Sequence, residues 1–260
     1  IHLHLIHLKM KKINMFSIKE NVVIITGAGR GNGKAIAIGL VEADAIVYAL
    51  DLAFESESNH PKLFHEVCDI TNTKMFGQIC EKIYAKHGKI DSLINNAGVT
   101  FTKQQEELYD SKNWAKTIEI NLSSPFELSQ IVYGFMRRNN NGSIVNITSL
   151  GADLGFPNNP AYVASKGGLK MLTKAFARDW GRNGIRCNNV GPGYMHTEMT
   201  SASYQNETTR TQREQNIMLG RWGTPEDLIG PCIFLISDAS AYVTGQDIYV
   251  DGGWTANGLQ

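Results

Sequence analysis

The chain has few cysteines, and none is placed for a disulfide framework or a thiolate metal site. Only four occur in 260 residues, and no two form a Cys-x-x-Cys pair. This scarcity excludes a small disulfide-stapled scaffold and a zinc ribbon, and it predicts reduced thiols in a cytoplasmic protein. The four residues are Cys68, Cys80, Cys187 and Cys232.

Long apolar runs and an excess of either charge are also missing. No apolar run approaches the roughly 20 residues needed to span a bilayer. Lys plus Arg and Asp plus Glu both number 25, so the formal net charge is zero. This balance gives no electrostatic reason to expect nucleic acid or an anionic membrane as a partner, and neither is expected.

The first residues, IHLHLIHLKMKK, differ from the rest of the chain. Their apolar stretch precedes the positive charge, which is the reverse of a secretory signal. His2, His4 and His7 have no acidic or thiol ligand beside them, so no metal site is expected. We expect residues 1–15 to be a disordered extension or one added to the natural chain. Residues 16–260 should form a single dinucleotide-binding catalytic domain.

Strand and helix patterns alternate from residue 21 onward. This order predicts an α/β protein with a Rossmann-type, doubly wound parallel sheet of about seven strands and helices on both faces. The expected strands are residues 22–26, 45–50, 63–68, 90–95, 142–148, 185–190 and 246–253. The expected helices are residues 33–43, 71–86, 111–138 with a bend near Pro125, 162–183 and 224–237.

Two segments interrupt this alternation. Residues 52–62 are short for a crossover, so the helix there should be tiny or missing and the adenine side of a cofactor site relatively open. Residues 194–219 are polar and lack strong periodicity. They follow the sixth strand, and ligands of open parallel sheets bind beyond the carboxyl ends of the strands. We therefore expect residues 194–219 to cover a substrate.

A glycine-rich turn, TGAGRGNG over residues 26–33, lies between a buried strand and a helix. In that context Gly27, Gly31 and Gly33 predict a turn whose backbone N–H groups hold a pyrophosphate. The spacing is G-x-x-x-G-x-G, and a plain structural turn is the alternative.

Two charged residues give opposite indications about the cofactor. Asp51 ends the second strand, where a carboxylate can accept hydrogen bonds from the adenosine ribose and repel a 2′-phosphate. Arg30 lies in the glycine turn and could attract that phosphate. Because Asp51 occupies the position expected for the ribose contact, NAD is favoured and NADP remains possible.

Tyr162 and Lys166 form a pair one helical turn apart on the same face. The lysine cation is expected to lower the pKa of the phenol from its ordinary value of about 10, so Tyr162 could act as acid or base near neutral pH. Ser149 could orient a substrate oxygen. Asn121 lies inside a predicted helix, where an Asn is mildly unfavourable unless it has a hydrogen-bonding role; a solvated or back-bonded side chain is the alternative.

Two further motifs occur in the chain: Asn95-Asn96-Ala97-Gly98, and Pro192-Gly193 followed by Thr197. Together with the glycine turn, Asn121, Ser149 and Tyr162-x-x-x-Lys166, and taken in chain order, they resemble the short-chain dehydrogenases/reductases over residues 16–259. The resemblance implies that Tyr162 is the general acid/base, that Lys166 binds the nicotinamide ribose, that Ser149 binds the substrate oxygen, and that Asn121 anchors a proton-relaying water. It also implies cofactor contacts from Asn95, Gly98, Asp69, Ile70, Pro192, Gly193, Met195 and Thr197, and a homo-oligomer, dimer or tetramer.

The expected function is an NAD(H)-dependent oxidoreductase that interconverts a secondary alcohol and a ketone of a small molecule. The C-terminal run resembles sugar-acid and sugar-alcohol dehydrogenases and 3-oxoacyl reductases, and the polar residues 194–219 favour a sugar, sugar acid or other polyhydroxy substrate. One alternative is an NADPH-dependent 3-oxoacyl thioester reductase, and another is a catalytically silent dinucleotide-sensing regulator. Loop residues that could bind a polar substrate are Asp153, Asn158, Tyr194, His196 and Arg221.

Overall fold

The computed structural model describes residues 14–55, 60–104 and 107–258. These residues form one seven-stranded sheet in the order β3-β2-β1-β4-β5-β6-β7, and every pair of neighbouring strands is parallel. The predicted Rossmann-type sheet is thereby confirmed. The strands are β1 (Val22–Thr26), β2 (Ile46–Asp51), β3 (Leu63–Val67), β4 (Ser92–Asn95), β5 (Gly142–Ile147), β6 (Ile185–Pro192) and β7 (Asp247–Val250).

Helices cover both faces of the sheet because its central strands are apolar on both sides. The α-helices are α1 (Gly31–Glu42), α2 (Thr73–His87), α3 (Ser111–Ile118), α4 (Ser124–Asn139), α5 (Pro160–Trp180), α6 (Ser201–Gln205), α7 (Glu207–Asn216) and α8 (Ile229–Ile236). In β1, Val23 and Ile25 join a buried cluster with α1 and α8, whereas Val22 and Ile24 join a second cluster with α2, α4 and α5.

The long predicted helix over residues 111–138 is interrupted differently from the expectation. A π-helical turn, Glu119–Ser123, separates α3 from α4, and Pro125 lies in the first turn of α4, where its missing N–H costs nothing. The Ser124 hydroxyl donates to the Glu119 carbonyl at 2.9 Å, which supports the wider turn. The expected bend near the proline is therefore a π-bulge just before it, a feature found at functional sites.

Residues 194–219, called the lid below, contain more regular structure than their composition indicated. Helices α6 and α7 lie within it. The connection from β2 to β3 has no helix in its described residues, 52–55 and 60–62, as expected.

Three other expectations concern the cysteines, the N-terminal residues and membrane-spanning helices. The four cysteines are free and buried. His2, His4 and His7 lie outside the described residues. The Met15 carbonyl accepts from the Ala239 N–H at 2.9 Å, so residue 15 of the expected extension is hydrogen-bonded to the segment after α8. No helix in the described part of the chain is long and apolar enough to cross a membrane.

Candidate active site

The carboxyl ends of β1, β2, β4, β5 and β6 meet at one edge of the sheet. The strand order reverses between β1 and β4, which is the point where doubly wound sheets bind their ligands. The glycine turn follows β1, the Asn-Asn-Ala-Gly segment follows β4, Ser149 follows β5 and the lid follows β6. The topology thus brings all the predicted motifs to the same edge.

The glycine turn is compact and has no space for a Cβ at Gly27, Gly29 or Gly33. Gly27 and Gly31 have φ values of 65° and 53°, in the left-handed region that favours glycine. A Cβ on Gly33 would lie 2.0 Å from the Gly27 carbonyl oxygen. Backbone N–H groups at the start of α1 can therefore approach a phosphate closely, and this cradle fits the pyrophosphate of a dinucleotide.

Asp51 holds this turn from the end of β2. Its carboxylate accepts from the Gly29 N–H at 2.8 Å and from the Leu52 N–H at 2.7 Å. Arg30, the residue expected to attract a 2′-phosphate, instead pairs with Glu198 of the lid at 3.0 Å. Both partners are largely exposed, so the pair contributes little to stability, but it directs the Arg30 guanidinium toward another anion. This geometry favours Asp51 as the residue that selects the cofactor.

Removal of the Asp51 charge should shift cofactor preference toward NADP. We expect the ratio of the NADP Kd to the NAD Kd to fall about 10-fold in Asp51→Ala, because repulsion of a 2′-phosphate is lost. Asp51→Asn should give a similar shift while keeping an oxygen that accepts from Gly29. Titrations of the four cofactor forms measure both effects. An unchanged ratio in both variants would remove Asp51 from the cofactor site.

Tyr162 lies in the first turns of α5 and faces Ser149. Burial raises the pKa of Tyr162 above its ordinary value, and a hydrogen bond with the Ser149 hydroxyl lowers it in part. The expectation that Lys166 brings this pKa down is therefore wrong for this structure, because desolvation of the phenolate dominates. The Ser149 hydroxyl also accepts from the Gly151 N–H at 3.0 Å, which fixes its position.

Lys166 is buried, with 4% of its surface exposed. Its Nζ donates to the Ile147 carbonyl at 2.7 Å and lies 5.8 Å from the centre of the Tyr162 ring. Burial lowers the pKa of Lys166 to about 8. A cation that is this poorly solvated can gain or lose a proton close to neutral pH.

The burial of Lys166 should make the free energy of unfolding depend on pH. Because the pKa of Lys166 is about 8 in the folded protein against 10.5 for an ordinary lysine, the unfolded state binds more protons between those pH values. Its contribution to the free energy of unfolding therefore rises with pH across this window, by up to about 1.4 kcal/mol per unit. We expect urea unfolding of wild type and Lys166→Met, compared from pH 7.5 to 9.5, to show wild type gaining about 2 kcal/mol relative to the variant. If the free energies of unfolding of wild type and Lys166→Met changed equally with pH, Lys166 would not be desolvated.

Asn121 lies in the π-helical turn and is fully buried. Its side chain exchanges two hydrogen bonds with the Val99 backbone, at 2.8 and 2.9 Å, and donates to the Ser165 hydroxyl at 3.2 Å. A Cβ on Gly98 would lie 3.3 Å from Asn121 Oδ1 and 3.6 Å from Lys166 Nζ. Asn121, Gly98 and Lys166 are therefore neighbours, and the Asn121 side chain is hydrogen-bonded within the protein and not solvated. The water that it is expected to anchor stays a prediction.

Asn95 is placed differently from the expectation. Its side chain is buried and donates to Ser129 at 3.0 Å and to Asn146 at 2.8 Å, away from the glycine turn. The next residue, Asn96, donates to the carbonyls of Thr26 and Gly27 at 2.9 Å each. Successive side chains at the end of a strand point to opposite faces, so only one of the two asparagines can reach the turn. Sequence reasoning missed Asn96, although it is part of the same motif.

The other expected cofactor residues lie around the same edge. Asp69 Oδ1 accepts from the N–H and hydroxyl of Thr71 at 2.9 Å, and Ile70 is buried beside it. Pro192 ends β6, and the Gly193 N–H donates to the Val250 carbonyl at 2.9 Å. Met195 is buried, and Thr197 lies 3.9 Å from the position of a Cβ on Gly31. Their contacts with a cofactor stay predictions.

The loop residues considered for substrate binding have partners within the protein. Arg221 makes two hydrogen bonds with Asp227, at 2.7 and 2.9 Å. Asp153 accepts from Lys170 at 2.5 Å and from the Tyr249 hydroxyl. Tyr194 packs against Trp222 and Trp254, His196 stacks on Tyr204, and the Asn158 carbonyl accepts from the Lys103 N–H.

Residues 27–255 match the family model described as enoyl-(acyl carrier protein) reductase. The chain belongs to the short-chain dehydrogenase/reductase family. One relative of this dehydrogenase/reductase, 2-dehydro-3-deoxy-D-gluconate 5-dehydrogenase of Dickeya dadantii, is 34% identical over 94% of this chain and 99% of that enzyme. Another, a 3-oxoacyl-[acyl-carrier-protein] reductase of Thermotoga maritima, is 36% identical over 91% of this chain and 98% of that enzyme.

A solved structure supports the same assignment. Gluconate 5-dehydrogenase from Burkholderia cenocepacia, in complex with NADP and tartrate, has a TM-score of 0.86 and 32% identity, over 93% of this chain and 98% of that one. The dehydrogenase/reductase described here is therefore an oxidoreductase that acts on CH–OH groups with NAD or NADP. The expectation of an enzyme is confirmed.

Proposed function

We propose that this dehydrogenase/reductase oxidises a secondary alcohol of a sugar acid, or reduces the corresponding ketone, with NAD(H). The observation that carries the proposal is the half-buried Tyr162 next to the buried Ser149 and Lys166, at the same sheet edge as the glycine cradle. Relatives named for gluconate and 2-dehydro-3-deoxygluconate give the substrate class. The Asp51 carboxylate supports NAD as the preferred cofactor.

The residues have distinct chemical roles in this proposal. Ser149 holds the alcohol oxygen, and Tyr162 as phenolate takes the hydroxyl proton; in the reverse direction the phenol returns it to the carbonyl oxygen. A bound nicotinamide dinucleotide accepts or supplies the hydride. Lys166 stabilises the phenolate when its ammonium turns from the Ile147 carbonyl toward Tyr162. Asn121 holds the backbone of Val99 beside this proton path.

Three wider features belong to the proposal. Residues 16–260 act as one catalytic domain, with the preceding residues as an extension. The protein works in the cytoplasm, which the reduced thiols support. It forms a homo-oligomer, a dimer or tetramer, because exposed apolar side chains such as Met171 on α5 and Trp114 on α3 would then be covered.

A substrate panel with both cofactors tests the proposal. We expect NAD-linked oxidation of gluconate or reduction of a keto-gluconate, followed at the nicotinamide absorbance. The panel also includes 3-oxoacyl thioesters, because the Thermotoga maritima relative is named a 3-oxoacyl-[acyl-carrier-protein] reductase. Turnover of thioesters with NADPH and of no sugar acid would reverse the assignment. Cofactor binding without turnover of any alcohol or ketone would favour the regulator.

A further inference from the structure

The lid carries a cluster of aromatic rings and arginines that the proposed proton-transfer chemistry does not use. Arg213 of α7 lies over the Tyr194 ring at 4.2 Å and over the Trp222 ring at 5.2 Å. Arg210, one turn earlier, lies 5.6 Å from the centre of the Tyr204 ring. An arginine on an aromatic face is held by cation–π attraction, while the edge of its guanidinium stays available to donate. The cluster therefore presents oriented cationic donors.

The arginines of the lid differ from other cations around the site. Arg30 is paired with Glu198, and Arg221 is paired with Asp227. Among the described residues, no ion pair includes Arg210 or Arg213, although both side chains are half-buried. A half-buried guanidinium without a carboxylate has lost part of its hydration and gained no anion in exchange. An external anion would complete its interactions.

Trp222 forms the buried part of the same cluster. It is 4% exposed, and within the described part of the chain its indole N–H is buried without an acceptor. Buried polar groups nearly always find a partner, so a solitary one needs an explanation. The Arg213 guanidinium lies over the face of this same ring, so Trp222 is the buried base on which the arginine is held.

The cluster is joined directly to the residues that complete the cofactor site. Tyr194 follows Gly193, and it contacts both Trp222 and Trp254. Met195, the next residue, forms a β-bridge with Gly223, one position after Trp222. Two residues further on, Thr197 approaches Gly31 of the glycine turn. Arg213 therefore packs on the first residue of the lid, two residues after the end of β6 and at the edge of the sheet that carries the predicted motifs.

We propose that Arg213, held over Tyr194 and Trp222, binds the carboxylate of an acidic substrate and so selects sugar acids over neutral polyols. This inference rests on the proposed function and adds to it the group that recognises the acid. A guanidinium matches a planar carboxylate through two parallel hydrogen bonds. Arg210 lies over Tyr204 alone and contributes less.

Gluconate and gluconamide give a matched test, because the carboxamide has nearly the same shape as the carboxylate but carries no negative charge. In wild type we expect kcat/KM to be higher for gluconate. In Arg213→Gln, kcat/KM for gluconate should fall about 10- to 100-fold, mostly through KM, while that for gluconamide changes less than about 2-fold. Arg213→Lys keeps the charge and should retain part of the preference. Arg138→Gln, which removes an exposed arginine of α4 with no ion pair among the described residues, is the control and should change neither substrate.

Several outcomes would overturn the inference. Equal losses for gluconate and gluconamide in Arg213→Gln would mean that Arg213 only supports the lid, and near-ultraviolet circular dichroism of the tryptophans would reveal that structural change. An unchanged gluconate KM would mean that Arg213 does not touch the substrate. Arg213-dependent turnover of a polyol phosphate with none of gluconate would assign the site to phosphate. If wild type oxidises neither gluconate nor gluconamide but turns over other alcohols, the proposed substrate class fails as well.

Discussion

Tyr162→Phe should lower kcat for alcohol oxidation by about 10²- to 10⁴-fold, which is the range that general acid–base groups contribute. The variant keeps the ring and loses only the hydroxyl that faces Ser149. Since Lys166 donates to Ile147 rather than to the phenol, the change should leave that contact intact. Titration with NAD(H) should therefore give a Kd within about 2-fold of wild type.

The pH dependence of turnover identifies the group that carries the proton. Burial raises the pKa of Tyr162, so the phenol is the dominant form at neutral pH. Wild-type oxidation should accelerate as pH rises through the alkaline range, since phenolate is the base, while ketone reduction should be fastest where the phenol persists. The residual rate of Tyr162→Phe should lack this dependence.

Ser149→Ala is the matched control for Tyr162→Phe. It should slow turnover through loss of substrate orientation and of the hydrogen bond to Tyr162, and the profile should keep its rise with pH. If Tyr162→Phe retained both the wild-type rate and the wild-type pH profile, the proton would be carried by another group. The buried Lys166, with a pKa of about 8, would then be the candidate base.

The sheet was predictable because its signals are local and repeated. Apolar runs such as residues 22–26 alternate with helical patterns, and glycine turns mark the junctions. The positions of Tyr162 and Lys166 one turn apart followed from helical periodicity alone. Because the strands of a parallel sheet end at the same edge, the predicted fold was enough to place the separate motifs together.

Features that depend on burial and on side-chain direction could not be predicted in this way. The pKa shifts of Tyr162 and Lys166 are set by burial, and that of Tyr162 also by the Ser149 hydroxyl, which comes from a different element. The choice between Asn95 and Asn96 depends on the register at the last residue of β4, which is the least reliable part of a strand assignment. The rings beneath Arg213 come from residues 194 and 222, and no periodicity relates them.

Gly33→Ala should damage both the fold and cofactor binding. A Cβ at this position would lie 2.0 Å from the Gly27 carbonyl oxygen and 2.4 Å from Asn96 Nδ2, and the closest atom belongs to the backbone. The turn must therefore open, at a cost of about 3 kcal/mol in the free energy of unfolding. Because the displaced groups include the backbone that approaches the pyrophosphate, NAD(H) affinity should fall about 100-fold or more.

Gly134→Ala is the matched control for Gly33→Ala, because it makes the same chemical change at an exposed position of α4 where a Cβ would meet nothing within 4 Å. It should leave NAD(H) affinity unchanged and raise stability by up to about 1 kcal/mol, since alanine favours a helix interior over glycine. Urea unfolding and cofactor titration of the two variants distinguish damage to the glycine turn from any general effect of an added methyl group. If Gly33→Ala bound NAD(H) with wild-type affinity, the turn would not hold the pyrophosphate, and another segment at the carboxyl ends of the strands would have to do so.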